Sequence, residues 1–150
     1  MSDRQIKGQY FDRWIFRYPP VLLILISSLV IAACDRQVRV PPATTVTEST
    51  LNPFGQDKVA ASDGRKLFLN NCAICHGHEG LGDGPSRSTL IAEPANLTIN
   101  PVASYSDGKM FLVIRLGKMV NGRLTMPPVE KMSDEQIWKT IAYVRTIASK

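Results

Sequence analysis

Cysteine is scarce, three in 150 residues, which is too few for the disulfide frameworks that staple small secreted domains. No block of five or more like charges occurs, so the chain lacks the solvated charged tails typical of nucleic-acid arms. No internal repeat and no strand-type alternation stand out. Long hydrophobic runs are missing too. The longest, Val21 to Ala33, reads VLLILISSLVIAA; as a helix at ~1.5 Å per residue it reaches about 20 Å, short of the ~30 Å hydrocarbon core of a bilayer. Arg17, Pro19 and Pro20 prevent its extension backwards. What is present is ordinary for a globular domain: 44% hydrophobic and 21% charged residues, which excludes wholesale disorder. The formal charge is +5, from 18 Lys+Arg against 13 Asp+Glu.

Ahead of the apolar run, residues 1–20 carry Arg4, Lys7, Arg13 and Arg17 against Asp3 and Asp12. A basic start, a short apolar core and small residues at its end make a secretory signal peptide. A buried helix of a soluble protein and a single-pass anchor are the alternatives. Ile31-Ala32-Ala33-Cys34 resembles the lipobox of bacterial lipoproteins. That resemblance implies removal of residues 1–33 and a diacylglycerol on Cys34; the alternative is a buried thiol that happens to end the run. Each buried CH₂ contributes ~0.8 kcal/mol, so two or three acyl chains hold a protein firmly on a membrane. Asp35 directly after the cysteine resembles the inner-membrane retention signal of enterobacterial lipoproteins. The expected location is the periplasmic, extracytoplasmic face of the cytoplasmic membrane.

Residues 34–60 are expected to be a lipidated N-terminus and tether. Asp35 to about Ala60 contains Pro41, Pro42, Pro53 and four threonines and shows no helical period. Fully extended, its 26 residues would reach on the order of 85 Å. A loop packed on a neighbouring subunit is the other reading of the same composition.

From about residue 61 to 150 the pattern is that of one domain, mostly helical. Ser62 is a cap for a helix to about Cys72, with Leu67 and Phe68 inward. Ser106 caps Asp107 to Leu116, which Gly117 stops; Met110, Phe111, Val113 and Ile114 fit one face. Ser133 and Gln136 form a capping box for the last helix, with Met132 and Ile137 as its hydrophobic staple. Three short helices make a thin core for ninety residues, and such domains need a staple or a large cofactor at their centre.

Cys72-Ala73-Ile74-Cys75-His76 is a C-x-x-C-H motif, the attachment signal for c-type haem. Two cysteines three apart lie on one side of a helical turn and reach two vinyl groups of one porphyrin. The next residue offers an imidazole to the iron. A thioredoxin-type redox pair would need a strand–helix context that is absent. A structural zinc site would need four ligands, and the chain offers only Cys72, Cys75, His76 and His78 in one tight cluster.

With these motifs in their order, Ser62 to Ile147 resembles a class I cytochrome c domain of the bacterial single-haem kind. The resemblance implies an all-α fold, a small cytochrome c fold of three to four short helices around one covalently bound haem c. It implies that the first and last helices cross, with Gly64, Phe68 and Tyr143 at the crossing. Met126-Pro127-Pro128 resembles the family's ligand loop, making Met126 the expected sixth ligand beside His76, with Met119 as second choice. Met110 reads as core, Met132 as staple and His78 as a surface imidazole. Gly82-Asp83-Gly84-Pro85 resembles the turn whose proline carbonyl accepts the histidine N–H, a role that falls to Pro85. No residue is assigned to the haem propionates.

An iron with both axial positions filled gains and loses one electron and offers no open site. The expected function is therefore electron carriage between redox proteins in a respiratory or photosynthetic chain, with no catalytic residue of its own. Between Gly108 and Ser133, Lys109, Arg115, Lys118, Arg123 and Lys131 face only Glu130. That excess suits partners with acidic docking surfaces; a solvated face without a partner is the plain alternative. Two further readings stay open. One is a fixed haem subunit of a membrane quinol-oxidising assembly resembling alternative complex III. The other is a haem sensor or peroxidase, for which the sequence supplies no distal acid–base residues.

Overall fold

The computed structural model describes residues 38–148. The expected signal segment and the expected lipidation site Cys34 lie outside the described residues. Four helices carry the fold: α1 (Lys58–Asn71), the single turn α2 (Ala73–His76), α3 (Asp107–Leu116) and α4 (Asp134–Ala148). Among the described residues no helix is long and apolar enough to cross a membrane.

The helix ends follow from local chemistry. Ser106 caps α3, its Oγ accepting from the Lys109 amide at 3.2 Å, and Gly117 ends it. The capping box of α4 is formed as the sequence predicts: the Ser133 amide donates to Gln136 Oε1 at 2.9 Å and the Gln136 amide to Ser133 Oγ at 3.2 Å. Met132 and Ile137 beside it are buried. The start of α1 differs from the expected cap at Ser62. Asp57 is the cap, its Oδ1 accepting from the Val59 and Ala60 amides at 2.8 and 3.2 Å, so the helix gains a further turn at its start.

The crossing of α1 and α4 is the centre of the core. A Cβ on Gly64 would lie 1.9 Å from the Lys139 carbonyl oxygen, so only glycine lets the two backbones approach this closely. One turn on, Phe68 meets Tyr143 with ring centroids 5.3 Å apart and planes at 58°, a tilted pairing that aromatic rings favour. On the other side of α4, Trp138 stacks on Phe111 of α3 at 4.5 Å. Phe68, Phe111, Ile137, Trp138 and Ile141 are fully enclosed.

Two further features depart from the sequence expectations. A small antiparallel hairpin, β1 (Lys118–Val120) and β2 (Arg123–Met126), stands where a loop was expected. Asn121 and Gly122 both have positive φ (50° and 75°), the pattern of the tight two-residue hairpin turn that Asn-Gly favours. The second departure concerns the expected tether. Residues 40–57 lie against the helices as a strap: Val46 is buried, and Val40, Ala43 and Phe54 pack on the core. The Ala43 amide donates to Asp134 Oδ2 at 2.8 Å, and Ser106 Oγ donates to the Glu48 carbonyl at 2.5 Å. The buried Asn52 donates from Nδ2 to the Trp138 carbonyl at 2.9 Å and accepts the Phe54 amide at 3.0 Å. The segment runs through a 3₁₀ turn at Ala43–Thr45 and further tight turns while packed on the domain, and is not a free coil.

Candidate functional site

The site grows from the end of α1. Asn71 closes that helix, Cys72 has φ −116° and ψ −36°, and the chain turns at once into α2. The Cys75 and His76 amides both donate back to the Cys72 carbonyl, at 3.1 and 2.9 Å. One turn therefore presents Cys72, Cys75 and His76 together. Both cysteines are free thiols and half-buried. Burial, and after it the neighbouring Cys75, push the Cys72 thiol up to about 12. At physiological pH it is a neutral thiol.

A ligand imidazole needs its second nitrogen held. His76 Nδ1 lies 3.0 Å from the Ala95 carbonyl oxygen. A carbonyl only accepts, so Nδ1 carries the proton and Nε2 keeps its lone pair for a metal. Burial lowers the His76 pKa, with the Ala95 carbonyl acting in the opposite sense; the ring therefore favours the neutral, ligating form. The orienting acceptor is Ala95, and the role expected of Pro85 is corrected. The 82–86 turn meets α2 with its donors: the amides of Gly82, Gly84 and Ser86 bond the carbonyls of His76, Cys75 and Ile74 at 2.8, 3.1 and 2.9 Å. Pro85 itself is exposed. The Leu97 amide, bonded to the Gly80 carbonyl at 2.7 Å, pins the Ala95 segment in place.

The methionines separate by position. Met110 and Met132 are buried core residues. Met119 on β1 is 60% exposed. Met126 is half-buried at the end of β2, opposite Lys118 in the hairpin. Among the described residues no hydrogen bond joins Met126 to the turn that carries His76. His78 is exposed. A cleft of about 370 Å³ runs between Ile91–Ala92 and the hairpin residues Val120, Asn121, Arg123 and Thr125.

These residues fit a covalently held haem. Two thiols stand three apart on a helical turn, and an imidazole follows with one nitrogen committed and the other free. Leu81, Leu90, Ile91, Ile99, Met119 and Leu124, all between that turn and α4, are large apolar side chains open at the surface, of the kind a macrocycle covers. Among the described residues no group of three or more His, Cys, Asp or Glu side chains gathers as a metal cage.

Residues 61–148 match the family model for cytochrome c. The chain belongs to the cytochrome c family. Membership implies covalently bound haem c and a role in electron transfer, and the mostly helical fold agrees with it. This cytochrome is 27% identical, over 71% of its length, to the cytochrome c subunits of quinone alcohol dehydrogenases from Gluconacetobacter polyoxogenes and Komagataeibacter europaeus. It spans 24% of the length of those relatives. Among solved structures it is similar to a chain of the reducing HAO-like protein complex of Kuenenia stuttgartiensis, with TM-score 0.52 and 26% identity. That likeness covers 61% of this cytochrome and 45% of the other chain. The sequence reading missed Ala95 and Asp57 as functional or capping groups. Asp57 was visible as a cap-type residue, whereas a backbone carbonyl such as that of Ala95 leaves no mark in sequence.

Proposed function

We propose that this cytochrome holds one haem c on Cys72 and Cys75 and relays single electrons between redox proteins. His76 and Met126 would be the two axial ligands, and the site would lie at the extracytoplasmic face of the cytoplasmic membrane, anchored by lipid on Cys34. When bound, the haem supplies the reversible one-electron change of its iron; paired histidine and methionine ligation raises the potential relative to two histidines. The observation that carries this reading is the Cys72–His76 turn with Nδ1 of His76 committed to the Ala95 carbonyl. The protein residues fix the imidazole's rotation, enclose the motif behind the 82–86 turn and hold the Met126 segment against α3.

A specific observation favours a fixed relay within an oxidoreductase over a shuttle on a long leash. The strap packs on the domain from Val40 and is hydrogen-bonded to it from Ala43, so at most nine residues separate its anchored part from Cys34. At ~3.3–3.6 Å per residue that allows about 30 Å of reach, against the 85 Å of an unpacked tether. The similar proteins named above, a dehydrogenase subunit and a member of a reducing HAO-like protein complex, agree with that reading. Of the five basic residues expected to form a docking rim, Arg115 is tied to Asp134 at 2.5 Å and Lys109 to Glu48 at 3.7 Å. Lys118, Arg123 and Lys131 have no ion pair among the described residues and would carry the attraction for an acidic partner.

The test is a detergent extract of native membranes run on a non-denaturing gel, stained for haem, with the intact mass of the stained chain. The fixed relay predicts a large haem-staining band that contains integral partners and this chain bearing acyl groups. A small free band supports the shuttle. Haem-bearing chain found only in the soluble fraction, without acyl groups, refutes the anchor.

A further inference from the structure

We infer that Arg115, acting with Asp134, is the positioning residue that fixes the Met126 loop to the end of α3; this rests on Met126 being the axial ligand. A thioether is a weak ligand, so its bond persists only if the backbone that carries it has little freedom. The loop 126–129 leaves β2 and must return to α4, and the structure holds it to the end of α3 at three points. At Gly117, φ is +78° and a Cβ would fall 2.6 Å from the Met126 carbonyl oxygen and 3.0 Å from the Pro128 nitrogen. The Val129 amide donates to the Ile114 carbonyl at 2.9 Å. Arg115 supplies the third. Its guanidinium donates to the Val129 carbonyl at 3.4 Å and to Asp134 Oδ1 at 2.5 Å.

Arg115 is well placed for more than surface pairing. Its side chain is 19% exposed and lies over the Phe111 ring at 5.9 Å. Its Nε is buried without a hydrogen-bond partner. A buried guanidinium with one donor unsatisfied is costly in a site whose only task is stability. Here that cost accompanies a geometric gain. The planar fork of Arg115 spans the Met126 loop and the first turn of α4 at once, which the single point of a lysine ammonium cannot do. Asp134 extends the clamp, because its second oxygen accepts the Ala43 amide of the strap at 2.8 Å. Loop, α3, α4 and strap therefore meet at one ion pair.

The readout is the ease with which exogenous imidazole displaces the thioether from the ferric protein, with the red-end absorption band that reports sulfur–iron ligation. Arg115→Lys keeps the charge and loses the fork. Its expected effect is a roughly tenfold rise in imidazole affinity, the equivalent of one charge-assisted hydrogen bond. Asp134→Asn keeps the shape and moves affinity the same way by less. Arg145→Lys is the control: Arg145 clasps Asp107 at 2.8 Å and the carbonyls of Ala103 and Tyr105, so it loses a comparable fork away from the Met126 loop. It is expected to lower the melting temperature and leave imidazole affinity unchanged. Unchanged affinity in Arg115→Lys, or an equal rise in Arg145→Lys, overturns the inference; if Arg115→Lys fails to fold, an unchanged Asp134→Asn does so. Met126→Ala separates the two levels. If it retains the sulfur–iron band, the ligand assignment itself fails; if it loses the band while Arg115→Lys does nothing, only the positioning role fails.

Discussion

Asn52→Ala tests whether residues 40–57 are a working part of the domain. The side chain is 8% exposed and sits between strap and core, donating to the Trp138 carbonyl at 2.9 Å and accepting the Phe54 amide at 3.0 Å. Each such bond contributes about 1 kcal/mol net, and a buried group left unpaired costs more. Trp138 lies inside α4, where its carbonyl also faces the helical amide one turn on, so the loss falls toward the lower end, about 2 kcal/mol. For a domain of this size 1 kcal/mol moves the melting temperature by roughly 4–8 °C. Thermal unfolding of the haem-loaded protein, followed by far-ultraviolet circular dichroism, is expected to show a fall of roughly 8–16 °C. Thr44→Ala, at an exposed strap position, is expected to stay within about 0.5 kcal/mol of the parent. An Asn52→Ala protein as stable as the parent would mean the segment is a free tether after all, and the short reach deduced for the anchor would fall with it.

Further outcomes follow from the same geometry. Gly64→Ala places a methyl 1.9 Å from the Lys139 carbonyl oxygen, and forcing α1 from α4 is expected to cost about 2–3 kcal/mol in denaturant unfolding; a neutral result would refute the close crossing. Lys139 has its pKa raised above the ordinary 10.5, first by the hydrogen bond to Glu135, which desolvation opposes, and then by the charges of Glu135, Asp63 and Asp57. A raised folded-state pKa contributes stability that is complete below pH 10.5 and is lost as pH rises through the folded value. Lys139→Met should therefore be less stable than the parent near neutrality, and the gap should close only above pH 10.5. Charge reversal at Lys118 and Arg123 together is expected to slow association with an acidic redox partner roughly tenfold at low salt, and the difference should shrink as salt is added. Stopped-flow rates that are equal at low salt would remove these residues from the docking surface.

Local signals were the most legible part of the sequence. The capping box at Ser133 and Gln136, the cap at Ser106 and the C-x-x-C-H turn each depend on residues within four positions of one another, and each stands where the pattern puts it. The Gly64, Phe68 and Tyr143 crossing was also readable, though through a family resemblance and not from periodicity. What escaped depends on distant partners. The strap is rich in proline and threonine, and nothing local tells that Asn52 will meet Trp138 or that Ala43 will meet Asp134. The hairpin strands hold three and four residues, too few for alternation to emerge, although Asn121-Gly122 marked the turn. For the His76 acceptor, any residue can present a carbonyl, and the one that reaches Nδ1 comes from Ala95, distant in sequence.

The central claim is that Cys72 and Cys75 bind one haem covalently. It is tested most directly by the intact mass of the chain after expression in an exporting host with a c-type haem maturation system. The account predicts the mature chain plus one haem, retained under denaturing conditions. Cys72→Ala with Cys75→Ala should abolish the added mass, and a change at His78 should leave it. A chain that carries no haem, or one whose haem is released by denaturation alone, would contradict it.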